Sequence, residues 1–307
     1  MNPYGMGHAH GKVIWFGEHA VVYHHPAIAL PLKSASVRVK MVPSNTLQFI
    51  SPFYQGALSD APHLEGFSKL MDALQARLPL GNVTIELETE IPVQGGLGAS
   101  AAIASAMVQA AYDLTDQPLE QGTRFELTQI SENFFHQNPS GIDAFMSMSK
   151  TAQRYRKEQA PSALDFSLDG ELVVVYSNVP GNTKDAIVKI AKATQKTKLY
   201  KTMADLGHLT EDALEAILGR DLNVLGRLMN QAHQLLNGFE ISHPSIETLR
   251  TWALEHGALG AKLSGGGLGG IMIALFDDPE KTELYTQHLK DNGYLKYWRM
   301  ALKEPHD

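Results

Sequence analysis

The most constraining feature of the sequence is a glycine-rich break that runs directly into an alanine-rich apolar segment. The break reads PVQGGLGAS over residues 92–100, and the following segment reads AAIASAMVQAAYDL. Glycine and proline interrupt regular structure, whereas the alanine-rich pattern predicts a buried helix. Closely spaced backbone N–H groups at a helix start suit a bound phosphate. A tight strand-to-helix turn with Ser100 as N-cap explains the same residues equally well at this point.

Hydrophobic periodicity predicts strands and helices in unequal blocks along the chain. The predicted strands cover residues 12–16, 36–42, 83–87, 172–176 and 271–276. The predicted helices follow residue 100 and cover 119–135, most of 185–256, and 278–289. We expect Leu127, Ile130 and Phe134 to share the buried face of the second helix. This order favours an α+β fold with two lobes over regular βαβ alternation, and we place the lobe boundary near residue 168.

Composition and charge narrow the class of protein. The chain has 307 residues, of which 44% are hydrophobic and 19% charged, so it reads as an ordinary globular protein. A net charge of −7 argues against general binding to nucleic acid or to an anionic membrane surface. No apolar run is long enough to span a bilayer. The chain has no cysteine, which excludes disulfides and thiol catalysis and favours a reducing, cytoplasmic location.

Two further segments carry residue types that suit chemistry. In GKVIWFGEHAVVY, residues 11–23, Lys12 opens an apolar strand and the pair Glu18-His19 follows its end. Taken alone, a solvated lysine and a loop histidine are the simpler interpretation. The segment KLSGGGLGG, residues 262–270, satisfies the pattern G-x-G-x-x-G, but a strand rather than a helix follows it. We therefore reject a dinucleotide-binding fold, while a glycine loop between strands still permits close approach to a ligand.

Two carboxylates lie between these glycine segments. Glu132 lies on the second predicted helix, and Asp143 lies in the turn PSGID that follows it. Phosphoryl transfer needs a metal ion to neutralise phosphate charge and a group that orients the acceptor hydroxyl. Two carboxylates on neighbouring elements can divide these tasks. Their spacing alone fits an exposed helix residue and a turn residue better.

Taken together and in this order, the segments resemble the GHMP kinase superfamily. GKVIWFGEHAVVY, PVQGGLGASAA and KLSGGGLGG resemble its three motifs, and the resemblance extends to NPSGID and to residues 242–267. Within the superfamily, the residues Gly17-Glu18-His19-Ala20 resemble the opening motif of the mevalonate kinases. The resemblance therefore covers most of the chain.

The resemblance implies a two-lobed GHMP kinase fold with the active site between an N-terminal, ATP-binding domain, residues 1–168, and a C-terminal domain, residues 169–307. It implies ATP-dependent phosphorylation of mevalonate to 5-phosphomevalonate in isoprenoid synthesis, with Mg²⁺ as cofactor. ATP and mevalonate are the expected small-molecule partners. A homodimer is the family expectation.

The resemblance also implies a role for each matched position. Asp143 matches the aspartate proposed to take the proton of the acceptor, and Lys12 matches the lysine beside it. Glu132 and Ser100 match ligands of Mg²⁺. Glu18 and His19 match residues near the substrate. The ATP-phosphate loop is matched by Gly95, Gly96, Leu97, Gly98, Ala99, Ser100, Ala101 and Ala102.

Departures from the family pattern affect the identity of the acceptor more than the kinase chemistry. Ala99 stands where many relatives have serine, Gln137 stands at a usual glycine position, and Leu268 interrupts the third glycine run. A GHMP kinase for another small alcohol, such as a sugar or a mevalonate derivative, therefore stays an alternative. So does a non-catalytic relative that only binds a nucleotide or metabolite.

Overall fold

The computed structural model describes residues 2–136, 139–192 and 196–303. Helices and strands occur in unequal blocks, which confirms the predicted α+β class. The strands are β1 (Gly5–Phe16), β2 (Ala27–Pro43), β3 (Gln48–Ser51), β4 (Tyr54–Ala57), β5 (Val83–Thr89), β6 (Ala152–Tyr155), β7 (Ser162–Leu164), β8 (Glu171–Tyr176), β9 (Gly260–Ser264), β10 (Ile271–Phe276) and β11 (Tyr297–Ala301). The helices are α1 (Glu65–Arg77), α2 (Ala99–Leu114), α3 (Gln121–Phe135), α4 (Ile142–Met146), α5 (Thr183–Lys192), α6 (Lys196–Leu218), α7 (Leu222–Asn237), α8 (Pro244–Glu255) and α9 (Pro279–Asp291).

The chain divides into two compact units, each built from separated stretches of sequence. The first unit contains Met1–Lys12, Pro31–Pro92 and Gly98–Lys150, and the second contains Val13–Leu30, Val93–Leu97 and Thr151–Asp307. The domain boundary near residue 168 stays a prediction. Within the described ranges, no helix has both the length and the apolar character to cross a bilayer.

The first unit is organised around the second half of β2. This half pairs antiparallel with β5, from Val37 opposite Thr89 to Pro43 opposite Val83, and β3 pairs parallel with β5. The side chains of Val37, Val39 and Met41 are fully buried on one face. Period-2 alternation places every second side chain on the same face of a sheet, so the alternation in the sequence correctly predicted this strand.

Strand β1 lies unusually close to helix α2, and glycine makes that approach possible. A Cβ atom added to Gly7 would lie 1.8 Å from the backbone oxygen of Ala106, and one added to Gly5 would lie 2.0 Å from that of Ala110. Helix α2 is buried almost all round, as its alanine-rich sequence predicted. Small side chains on the helix and none on the strand let the two backbones pack directly together.

The predicted buried face of α3 is partly wrong. Leu127 is buried, but Ile130 is only half-buried and the Phe134 side chain is 50% exposed. Phe135 points inward instead, and its ring centroid lies 5.0 Å from that of Phe67. The buried stripe of α3 also contains Thr128, Ser131 and Glu132. A prediction from apolar residues alone misses a stripe in which polar residues are buried.

The second unit contains an antiparallel sheet in the order β11-β8-β10-β9, with α7, α8 and α9 packed against it. Strand β10 pairs with β8 on one side and with β9 on the other. The glycine segment 264–270 therefore joins two adjacent antiparallel strands, which confirms that no dinucleotide-binding helix follows it. Helix α8 begins at Pro244, and Gly257 follows the helix end with φ +85°.

We expect Gly7→Ala to lower the free energy of unfolding by about 3 kcal/mol, because the added methyl group overlaps the Ala106 carbonyl of α2. Urea denaturation of the purified variant measures this change. Gly122→Ala is the matched control, because a Cβ atom at Gly122 in α3 meets nothing within 4 Å. The control should raise the free energy of unfolding by up to about 1 kcal/mol. Equal stabilities for the two variants would contradict the proposed strand–helix contact.

Candidate active site

An ion pair between Lys12 and Asp143 lies in the first unit. The Lys12 Nζ atom is 3.1 Å from the Asp143 Oδ1 atom. The Lys12 side chain is 4% exposed and that of Asp143 is 30% exposed, so the ammonium is enclosed while the carboxylate stays accessible. Lys12 belongs to β1, and Asp143 lies in the first turn of α4. The N-cap of this helix is Gly141, with φ +84°. The fold thus brings together the two residues that the sequence analysis assigned to the acceptor hydroxyl.

Glu132 adds a second carboxylate to this group. Its side chain is buried on α3, and its pKa is raised to about 8, chiefly by burial and then by the charge of Asp143. A hydrogen bond from the Ser100 hydroxyl and the charge of Lys12 act in the opposite direction. The Oε1 atom of Glu132 is buried without a hydrogen-bond partner among the described residues. Such an oxygen is available as a ligand.

The residues around Glu132 fit a Mg²⁺ ion. Mg²⁺ prefers carboxylate and hydroxyl oxygens, and Glu132 and Ser100 supply one of each. Within the part of the chain that the structure describes, no group of three or more His, Asp or Glu side chains would bind a metal on its own. Mg²⁺ ordinarily takes one or two protein ligands and completes its shell with phosphate oxygens and water.

The start of α2 lies beside the same side chains. Gly98 is the N-cap at φ +74°, and a Cβ atom there would lie 3.3 Å from Lys12 Cε and 3.7 Å from Asp143 Cβ. Ser100 is therefore in the first turn of the helix, and the alternative that it is the N-cap is wrong. Ala101 and Ala102 are fully buried. Gln137, a departure from the family pattern, lies outside the described residues.

Residues 95–97 of the predicted phosphate loop belong to the second unit. There they contact the glycine-rich segment at residues 262–270, called here the third glycine segment. A Cβ atom on Gly265 would lie 3.2 Å from the Gly96 oxygen, and one on Gly270 would lie 3.0 Å from the Gly95 oxygen. The Leu97 side chain is fully buried. The Gly181 N–H donates to the Gln94 oxygen over 2.7 Å. Contact between backbones explains why the connection between β9 and β10 needs so many glycines.

Glu18 and His19 also contact the third glycine segment within the second unit. The Glu18 side chain is buried and forms an ion pair with Lys262, which is itself fully buried. His19 Nε2 donates to the Gly266 oxygen over 3.0 Å, since a carbonyl only accepts. Burial lowers the pKa of His19 to about 4, so its imidazole is neutral at physiological pH. The role of both residues near the substrate stays a prediction.

Sequence reasoning did not assign a role to Lys262. Burial lowers its pKa, while the charge of Glu18 and the hydrogen bond to it act in the opposite direction. The available signal was a lysine inside β9, a strand whose five residues are all buried. A buried lysine needs a partner of opposite charge, but the sequence does not reveal which carboxylate provides it.

Comparisons with known proteins identify one family over most of the chain. Residues 66–151 match the family described as GHMP kinases N terminal domain, and residues 213–294 match GHMP kinases C terminal. The mevalonate kinase of Aeropyrum pernix is 32% identical over 89% of this chain and 88% of its own length. That of Thermococcus sibiricus is 31% identical over 93% and 92%. The crystal structure of L. major mevalonate kinase in complex with R-mevalonate has a TM-score of 0.81 at 25% identity, covering 100% of this chain and 98% of that one.

We expect Lys262→Met to lower the free energy of unfolding by about 3–5 kcal/mol, because it leaves the Glu18 carboxylate buried without its cation. Chemical denaturation measures the loss. The double variant Glu18→Gln, Lys262→Met removes both charges and should recover part of that stability. If the single and double variants were equally destabilised, the buried ion pair would not be the source of the effect.

Proposed function

The chain belongs to the mevalonate kinases of the GHMP kinase family, and from that premise we propose that Asp143, Lys12, Ser100 and Glu132 carry its chemistry. The reaction is transfer of the γ-phosphoryl group of ATP to the 5-hydroxyl of mevalonate, giving 5-phosphomevalonate and ADP. The observation that supports this site most directly is the convergence of one buried lysine and two carboxylates beside the start of α2. The sequences of the mevalonate kinases support the choice of acceptor.

Asp143 orients the acceptor in this proposal. Its carboxylate is accessible, and one oxygen is held by Lys12, so the other oxygen is placed to accept a hydrogen bond from the 5-hydroxyl. Phosphoryl transfer has a loose transition state that needs positioning and charge neutralisation more than an early proton transfer. Lys12 is enclosed and held in place by Asp143, so its charge stabilises negative charge on the transferred group without reorganisation.

Ser100 and Glu132 hold Mg²⁺ in this proposal, through the serine hydroxyl and the unpartnered carboxylate oxygen. When bound, Mg²⁺ neutralises phosphate charge and polarises the transferred phosphoryl group. The first backbone N–H groups of α2 are left without helical partners and face an anion favourably. The proposed ATP-phosphate loop, residues 95–102, acts mainly through its backbone. In the same proposal, Glu18 and His19 lie near the bound substrate.

The alternatives differ from this proposal in observable ways. A kinase for a sugar or a mevalonate derivative would use the same four residues but a different acceptor. A non-catalytic nucleotide-binding relative has no need of an accessible Asp143 carboxylate next to a buried Glu132. Ionisable groups forced together in this way are typical of catalytic sites. A lobe boundary near residue 168 and a homodimer are further parts of the proposal.

Formation of ADP by the purified protein tests the acceptor. The assay contains Mg·ATP with mevalonate, phosphomevalonate, galactose or homoserine, and a sample without acceptor sets the background. Turnover with mevalonate alone supports the proposal. Turnover with another acceptor would retain the mechanism and overturn the substrate. ATP binding without ADP formation on any acceptor would favour the non-catalytic alternative.

We expect Asp143→Asn to lower kcat by about 10²–10⁴-fold, because the amide no longer accepts the hydroxyl proton and weakens the pairing with Lys12. Affinity for Mg·ATP, measured by calorimetry, should change by about twofold or less. Asp169→Asn is the matched control, since Asp169 pairs with Lys303 on the surface and is 86% exposed. Wild-type kcat in Asp143→Asn would overturn the role of this residue.

We expect Ser100→Ala to weaken metal binding at the ATP site by about tenfold, because one oxygen ligand is lost. Two readouts check this: the Mg²⁺ concentration that gives half-maximal rate, and Mn²⁺ binding in the presence of a non-hydrolysable ATP analogue. Ser59→Ala, at an exposed serine of the same unit, is the control. Unchanged metal dependence in both measurements would remove Ser100 from the proposed ligand set.

A further inference from the structure

Strand β9 lies at the edge of its sheet, and side chains cover its outer edge. In the strand order β11-β8-β10-β9, only β10 pairs with β9 within the described residues. An edge strand ordinarily leaves a row of backbone N–H and C=O groups unpaired. Here the N–H and C=O groups of Ala261 and Leu263 each have a side-chain partner.

These four hydrogen bonds form two groups. In the first, the Ala261 clamp, Asn230 Oδ1 accepts from the Ala261 N–H over 3.1 Å and Arg250 Nε donates to the Ala261 oxygen over 3.0 Å. In the second, the Leu263 clamp, His233 Nδ1 accepts from the Leu263 N–H over 3.3 Å and Lys262 Nζ donates to the Leu263 oxygen over 2.8 Å. The second clamp is thus joined through Lys262 to the buried Glu18 carboxylate.

The surroundings of His233 determine its tautomer. Because a backbone N–H only donates, Nδ1 is unprotonated and Nε2 carries the proton. Nε2 donates to Glu247 Oε1 over 3.0 Å, and the Ser242 hydroxyl donates to the same carboxylate. His233 is buried, and burial lowers its pKa to about 4, although the charge of Glu247 acts to raise it. The imidazole is therefore neutral, and both of its nitrogens have hydrogen-bond partners.

The Leu263 clamp lies immediately before the third glycine segment. The next residue, Ser264, donates its hydroxyl to the Ile14 oxygen over 2.8 Å and accepts from the Ile14 N–H over 3.1 Å. Gly265 and Gly270 then contact Gly96 and Gly95 of the proposed phosphate loop. The Ala261 clamp lies two residues earlier in β9, farther from the glycine segment. Its two side chains also contact each other, since Arg250 donates a hydrogen bond to Asn230 Oδ1 over 3.2 Å.

We propose that His233 and Lys262 are positioning residues, which fix the Leu263 backbone so that the glycine segment 264–270 supports Gly95–Leu97 against bound ATP. This inference rests on the proposed function, because it assigns those residues to the ATP-phosphate loop. The Ala261 clamp stabilises the strand without this role. Both clamps secure the same strand, but only one of them is adjacent to the glycine segment.

Two substitutions of His233 separate its two hydrogen bonds. The Asn amide oxygen occupies the position of Nδ1, whereas the Gln amide occupies that of Nε2. His233→Asn therefore keeps an acceptor for the Leu263 N–H, and His233→Gln keeps the contact with Glu247 but leaves that N–H without an acceptor. We expect the Gln variant to raise both the KM and the Kd for Mg·ATP about tenfold, and the Asn variant about twofold or less. The KM for mevalonate should stay within about twofold in both variants.

Asn230→Ala is the matched control, because it removes the side-chain oxygen that accepts a hydrogen bond from the Ala261 N–H. We expect it to lower the unfolding midpoint in urea while Mg·ATP affinity stays within about twofold of wild type. Equal ATP affinities for the Asn and Gln variants, or a loss in Asn230→Ala as large as in His233→Gln, would overturn the inference. The Kd for Mg·ATP is measured without a phosphoryl acceptor. It therefore tests the positioning role even if the wild type fails to phosphorylate mevalonate. That failure would overturn the proposed function alone.

Discussion

Direct packing of backbone against backbone is the constraint on which each of the two units depends. Gly5 and Gly7 let β1 lie against α2, and the same strand carries Lys12 to Asp143. In the second unit, the contact between Gly96 and Gly265 brings two glycine segments together. A Cβ atom at Gly5 or Gly7 would overlap a backbone atom of α2, and one at Gly265 would lie 3.2 Å from the Gly96 oxygen. Glycine is needed at these positions because it has no side chain, as well as for its conformational freedom.

The two buried lysines illustrate two different uses of a buried charge. Lys12 shares its surroundings with an accessible Asp143 and with Glu132, one oxygen of which has no hydrogen-bond partner among the described residues. The unpartnered Glu132 oxygen and the accessible Asp143 carboxylate leave this group able to contact a ligand. Lys262 is enclosed with Glu18 and bonds a carbonyl of its own strand. Because both charges of that ion pair are buried and already paired with each other, its proposed contribution is to hold the backbone of β9 in place.

Much of the fold follows from local patterns, and much of the site from motifs. Alternation over residues 36–42 was sufficient to predict the second half of β2, and the alanine-rich sequence was sufficient to predict the buried helix α2. The inward face of α3 was not predictable from apolar residues, because a buried carboxylate, Glu132, shares it. His233 gave no signal at all. Its partner is a backbone group on β9, and only tertiary packing places that group beside α7.

The side chains along β9 also matter for the behaviour of the protein in concentrated solution. A bare strand edge is a template on which another chain adds its own strand, and such pairing is a common route to aggregation. Asn230 and Arg250 occupy the hydrogen-bonding positions that an incoming strand needs. Their amide and guanidinium groups therefore leave the Ala261 backbone with no free hydrogen-bonding group for strand addition at this edge.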